Sequence, residues 1–371
     1  MPPSHETSSA ARSTPPESNA VNVMAERLRA ELAATESPTS QAVLLHELGV
    51  LEELIGDEAA AARDHLGAIN AEPEFREPLE RLVVLIERRQ SYKNLGKLLE
   101  RLVRIAVGPA ERARALADFG LFKAEHERDL EGAKELLEDA TAEQPEDAAL
   151  WLGLELVAAS LGDKPLRARA LTARAELTQH AAWRALLRVD LARLLAETGD
   201  PQGAIDVLEQ AAAEDTIARY PALCALEQLG RREGRDDVVA GALEAQAELL
   251  ARCVNEPAAG DALGVPEHAR RPEPVADAWL RAAYAHRRQG SLDAATTLLD
   301  RALALLPDEP ALIHARTAAA DALGDTETVT ALARRQLSTV TAGPVAAGSW
   351  LRVAEGAAAE QNAADALAAV S

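Results

Sequence analysis

Apolar residues recur at three- and four-residue steps from Val21 to Ala34, which predicts an N-terminal helix over residues 21–36. Past the break at Ser37 to Ser40 the same period continues almost to the end of the chain, broken about every fifteen residues by a turn signal. Helices of that length on short turns form antiparallel pairs, so the pattern predicts an all-α protein. Residues 1–20 are rich in Pro, Ser, Thr and Glu and lack apolar periodicity, which predicts a disordered tail.

The turns themselves repeat. Gly-Asp stands at Gly56-Asp57, Gly162-Asp163, Gly199-Asp200 and Gly324-Asp325, with related turns at Gln90-Ser91, Arg128-Asp129, Gly234-Arg235, Gly290-Ser291 and Gln361-Asn362. Successive spacings include 34, 37, 35, 34 and 37 residues, and the 56 between Gly234 and Gly290 marks an insertion of about 20 residues. Five residues after most turns stands a small or apolar residue: Ala61, Leu95, Ala133, Ala204, Val239, Ala295, Val329 and Ala366, with Arg167 as the exception. A small side chain there lets two helices approach closely just past their connection. Closing prolines at Pro73, Pro145 and Pro307 mark the exit of the second helix.

Written in full, the first repeat reads Leu45-x2-Leu48-Gly49-x2-Glu52, turn Gly56-Asp57, Ala61-x3-His65, Ala68, Pro73. A later one reads Trp279-x2-Ala282-Ala283, turn Gly290, Ala295-x3-Leu299, Ala302, Pro307, and Trp151 and Trp350 occupy the same opening slot. The pattern resembles the tetratricopeptide repeat, whose unit of 34 residues runs W-x2-L-G-x2-Y, A-x3-F, a small residue and P. About nine such repeats extend from Gln41 to Ser371: about six over 41–252, a Pro-rich inserted loop over 253–273, and about three over 274–371. The departures are that the tyrosine slot holds Glu52, Ala158 or His286, and that the phenylalanine slot holds Leu137, Leu208 or Leu299.

The resemblance implies a right-handed superhelical solenoid of antiparallel helix pairs whose concave surface is lined by the first helix of each pair. In register, that surface carries His46, Val50, Glu53, Glu80, Val84, Glu87 and Asp118, then Phe122, Leu152, Leu156, Val189 and Arg193, then Gln228, Arg231, Tyr284, Arg287 and His314. Phe122, Leu152, Leu156, Val189, Arg193, Arg231, Tyr284 and Arg287 are the candidate partner-binding residues, since an apolar stretch flanked by charge suits an amphipathic helix or an extended segment. A register shift of one would instead pack Leu152, Leu156 and Val189 on the next repeat, and the arginines also have local Glu available as partners. The family's carboxylate clamp for chaperone C-termini needs Lys, Asn and Arg where this chain has His46, Val50, Val84, Asp118 and Phe122, so chaperone-tail binding is not expected.

Composition narrows the function classes. Against 60 Asp+Glu stand 39 Lys+Arg, a formal charge of −21, which argues against nucleic-acid or anionic-membrane binding. Hydrophobic residues make up 48% and aromatics only 3%. Stacked repeats bury narrow Leu/Ala interfaces and need no bulky centre. Cys224 and Cys253 cannot form a disulfide framework or a zinc site, and no signal peptide or membrane span of about 18 apolar residues is present, so a cytoplasmic location is expected. The dominance of Arg over Lys and the alanine content suggest a GC-rich bacterial genome.

Chemistry-bearing motifs are missing. Gly96-Lys97 lacks the rest of a phosphate loop, neither His46-Glu47 nor His126-Glu127 continues into a zinc motif, and there is no Gly-x-Ser-x-Gly. No catalytic residue, cofactor or metal is expected. The reading is a non-catalytic protein-binding scaffold. The alternatives are a regulatory or substrate-positioning arm of a larger enzyme or assembly, and a solenoid that self-associates through an uncapped C-terminal face at Ala366, Leu367 and Val370 or continues past Ser371. For the inserted loop, disorder is the first expectation and a segment lying in the groove or against a partner the second.

Overall fold

Helix after helix ends on a residue in the left-handed region, and those residues are the spaced turn positions. The computed structural model describes residues 16–340 and 342–359. Within them Gly56, Gln90, Arg128, Gly162, Gly199, Gly234, Gly290 and Gly324 all have positive φ. A left-handed residue turns the chain away from the finished helix, and the next residue opens the following one. Asp57, Asp129, Asp200 and Asp325 do this by accepting the N–H of Ala60, Gly132, Gly203 and Thr328. Gln90 and Arg128 are the only non-glycine residues with positive φ among those described. The Arg128 connection is wider, a π-turn over Lys123–Glu127, and Lys123 Nζ ties it to Asp129 at 2.6 Å.

The chain forms two units, the first ending at Asp163 and the second beginning at Lys164. The first holds α1 (Pro16–Ala34), α2 (Pro38–Ile55), α3 (Glu58–Ala71), α4 (Arg76–Arg88), α5 (Leu95–Ile105), α6 (Pro109–Phe122), α7 (Leu130–Glu143) and α8 (Ala148–Leu161). The second holds α9 (Lys164–Leu177), α10 (Ala181–Thr198), α11 (Pro201–Ala213), α12 (Arg219–Arg232), α13 (Asp236–Asn255), α14 (Pro257–Ala262), α15 (Pro272–Arg288), α16 (Leu292–Leu305), α17 (Pro310–Leu323), α18 (Thr326–Thr339) and α19 (Pro344–Ala359). No strand occurs among the described residues. Within each unit every helix packs on its neighbours in sequence, except that α13 packs directly on α15 past the short α14. The fold is all-α, built as a tetratricopeptide-like solenoid of helix pairs.

The small-residue ladder is the seam of these pairs. Ala61, Ala133, Ala204 and Ala295 are wholly enclosed, and Leu95, Val239 and Val329 are buried at the same step. One layer of the first unit is a cluster of Ile69, Leu79, Leu82, Leu95, Leu99 and Phe122. In the second, a continuous core runs from Ala185 to Leu332. Burial between neighbours replaces a single large centre.

Two expected boundaries move. The N-terminal helix starts at Pro16, five residues before Val21, and Arg29 reaches from it to Glu52 on α2. The inserted segment 253–273 is not a plain loop: α13 runs on to Asn255, α14 follows, and a 3-10 turn spans Glu267–Ala269. Leu263, Val265 and Ala269 are buried, and Arg270 clasps the segment by donating to Val265 O (2.8 Å from Nε) and Asp261 Oδ1 (2.6 Å from Nη2). The prolines suggested irregular chain, yet Pro257 and Pro272 each open a helix at the position where a missing N–H is no loss. Ala366, Leu367 and Val370, with the last turn at Gln361-Asn362, lie outside the described residues.

Gly199 and Gly241 separate conformation from packing. A methyl group at either would meet nothing within 4 Å, but Gly199 has φ +87° while Gly241 lies inside α13. Gly199→Ala is expected to lose about 1–2 kcal/mol in urea unfolding, and Gly241→Ala to gain about 0.5–1 kcal/mol. Equal effects of the same sign would refute the role given to the turn.

Candidate functional site

Each unit has a concavity on the faces of its first helices. In the second unit a cavity of about 710 Å³ lies between α12, α13 and α15. Its walls are Gly230, Arg231, Gly234, Asp236, Leu243, Arg281, Tyr284, Arg287 and Arg288. Arg281, Tyr284 and Arg288 follow a three- and four-residue step along α15, so one helix face presents two of the arginines and the ring. Four guanidinium groups line this cavity against one carboxylate, that of Asp236.

A buried carboxylate behind the wall organises two of the arginines. Glu227 Oε1 forms an ion pair with Arg231 Nη2 at 2.7 Å and accepts from Arg281 Nη1 at 3.1 Å. Its Oε2 accepts from Nε2 of Gln246 at 3.0 Å, and that amide, itself 2% exposed, also donates to Leu223 O. Arg281 Nε lies 3.1 Å from Asp277, and Arg288 donates to Asp236 Oδ1 from Nε (3.0 Å) and Nη2 (2.8 Å). Arg287 differs from the other three. It sits 5.6 Å from the centre of the Tyr284 ring and has no carboxylate partner among the described residues.

The first unit's concavity mixes both signs of charge. A cavity of about 570 Å³ between α2, α4, α5 and α6 is lined by Glu77, Glu80, Glu87 and Asp118, with His46, Arg76, Arg81 and Arg114 and an apolar floor that includes Val84 and Leu99. The Asp118 carboxyl reaches solvent, but the surrounding wall partly desolvates it and pushes it above the usual carboxylate range; burial and then Asp118 do the same for Glu87. At the edge of this site His65 is wholly enclosed, 3.0 Å from Glu53 Oε1 and 5.3 Å ring to ring from His46.

The sequence-selected residues divide accordingly. Arg231, Tyr284 and Arg287 come together in the second unit's cavity. Arg193 is exposed on α10, and Val189 on the same helix is half-buried against the core. Leu152 and Leu156 stand on one face of α8, 39% and 57% exposed, with Leu121 of α6 exposed beside them. Phe122 is a correction: it is 7% exposed and belongs to the core. Its ring fills the space left by Gly96, where an added methyl carbon would lie 3.0 Å from Phe122 Cε1. Arg281, Arg288, Glu227 and Gln246 were missed. Arg281 and Arg288 flank Tyr284 at helical spacing, a signal present in the sequence, but the partners that hold them come from other helices.

Burial pushes both thiols, Cys224 and Cys253, above their ordinary range, which keeps them protonated at neutral pH. Among the described residues no group of three or more His, Cys, Asp or Glu is placed to hold a metal ion, and no helix is long and apolar enough to cross a membrane.

Helix pairs closed by left-handed turns and small-residue seams define the class: helical-repeat proteins with concave first-helix faces. Within it, residues 276–320 match the tetratricopeptide repeat family model. Its fold is similar to that of a tetratricopeptide repeat protein from Parabacteroides merdae, with 15% identity, 67% of this chain and 93% of that chain covered, and a TM-score of 0.37. It is also similar to MamA (17% identity, 46% and 89% covered, TM-score 0.37) and to a chain of the Naa15/Naa10 complex bound to HypK (12%, 94% and 68%, 0.41). A comparison with curated protein sequences returns no match.

The buried histidine makes the first unit sensitive to pH. Burial holds His65 below its ordinary value of 6.5, and burial with His65 nearby does the same to His46. The unfolded chain therefore binds more protons than the folded one just below pH 6.5, so stability present above that pH is lost as pH falls toward the folded-state values. The urea midpoint of the first unit should fall between pH 7.5 and 5.5, and less steeply in His65→Gln. An identical slope in the variant would show that His65 is not the group responsible.

Proposed function

We propose that this chain is a non-catalytic interaction scaffold that receives a partner segment on the exposed faces of its first helices. The observation that carries this is the apolar stripe of the first unit. Leu152 and Leu156 are one turn apart on α8 and both exposed, Leu156 the more so, and Leu121 of α6 approaches the backbone of α8 at Gly153, 3.7 Å from where a methyl group would sit. Gly153 behind them is buried against Leu137, so the two leucines form an outward apolar strip that one face of an amphipathic helix can cover. Burying Leu156 would contribute about 1–2 kcal/mol to association.

The proposal is tested by placing a photo-crosslinking benzoylphenylalanine at position 156 and, as a control, at Leu66 on the second helix α3, which is also exposed. Adducts with a defined protein are expected from position 156 and not from position 66, and Leu152→Glu should abolish them while leaving the unfolding curve unchanged. Equal adducts at both positions, or none at 156, would contradict the assignment.

A further inference from the structure

We propose that the arginine-lined cavity of the second unit is a separate binding site for an acidic segment of a partner protein, engaged through its Asp and Glu side chains. The proposal rests on the scaffold reading only in taking the occupant to be a protein segment.

Charge is the first argument. In a chain of net charge −21, four guanidinium groups converge on one cavity that presents a single carboxylate. Each guanidinium carries five N–H donors, and Glu227, Asp236 and Asp277 occupy only some of them, so the wall retains donor capacity. Arg287 keeps a whole guanidinium without a carboxylate partner among the described residues, flanked by the 40% exposed Tyr284 ring.

The second argument is how the wall is built. Twelve residues after the turn, four repeats place a wholly buried alanine, Ala68, Ala140, Ala211 and Ala302, and the others place Leu102, Arg174, Gln246 and Gln336, of which Gln246 stands behind the cavity. An amide in that seam displaces apolar packing and must be satisfied, and here it is spent on Glu227, which in turn grips Arg231 and Arg281. Gln246 and Glu227 are therefore positioning residues that hold two guanidinium groups at the cavity wall. The preformed fork geometry favours carboxylate. A cavity of about 710 Å³ with Leu243 and Tyr284 in its wall has room for more than one acidic side chain and for a short apolar residue between them.

The test uses the full chain and a short fluorescein-labelled peptide of repeated Glu-Glu-Leu, amidated at its C-terminus so that only side-chain carboxylates are offered, read by fluorescence anisotropy. The wild-type chain should bind it, with affinity falling as salt is raised, and should ignore the Lys-Lys-Leu counterpart. Arg287→Glu should weaken binding at least about tenfold. Arg231→Gln should weaken it as well, and Arg193→Glu on α10 should leave it unchanged. Glu227→Gln should flatten the dependence on Arg231, so that adding Arg231→Gln to it has little further effect. Absence of binding by the wild-type chain at about 1 mM peptide, or an equal loss in Arg193→Glu and Arg287→Glu, would overturn the proposal. Because the peptide readout does not involve Leu152 or Leu156, failure here and failure of crosslinking at position 156 are distinguishable.

Discussion

The structure depends on one local constraint: a chain reversal through a left-handed residue, followed in most repeats five residues later by a buried alanine or valine that lets the second helix lie against the first. The two features work as one. The αL residue at Gly56 or Gly199 fixes where the second helix begins, and Ala61 or Ala204, wholly enclosed, fixes how near it lies. Each pair then buries its remaining apolar face on the next pair. Gln90 and Arg128 adopt the same conformation without glycine, at φ 53° and 59°, which shows that the geometry is imposed by the packing on both sides and not only by the residue at the turn.

Local burial has a functional consequence. Because each layer is completed by its neighbours, the outward faces of the first helices are free to carry residues that packing does not dictate. The first unit uses that freedom for interleaved carboxylates and arginines and for the Leu152–Leu156 stripe, and the second for arginines around Tyr284. In the second unit Gln246 stands at a step where four repeats have alanine, and its amide leads through Glu227 to the cavity wall.

Most of the fold was legible because its determinants are short-range. Gly-Asp pairs encode a left-handed stop and a capped start, and both can be read from adjacent letters. The inserted segment was misread because a proline at Pro257 or Pro272 looks the same whether it breaks a helix or begins one; only the packing of Leu263 and Val265 distinguishes the two. Phe122 was placed in the groove because it stands one turn after Asp118, but its side is decided by Gly96 on another helix. The arginine site was half legible. Arg231, Tyr284 and Arg287 follow from register, whereas Arg281 reaches Glu227 across 54 residues of sequence, and Glu227 meets Gln246 across 19. Periodicity carries no information about such contacts.

The seam can be tested by overfilling it. Ala204 is wholly enclosed in α11 and Ala213, at the end of the same helix, is exposed. Urea unfolding of Ala204→Leu and Ala213→Leu is the most direct measurement: the first should lose about 1–3 kcal/mol by overpacking and the second should stay within about 0.5 kcal/mol of the parent chain. Equal tolerance at both positions would contradict the claim that a small side chain at this step holds the pairs together.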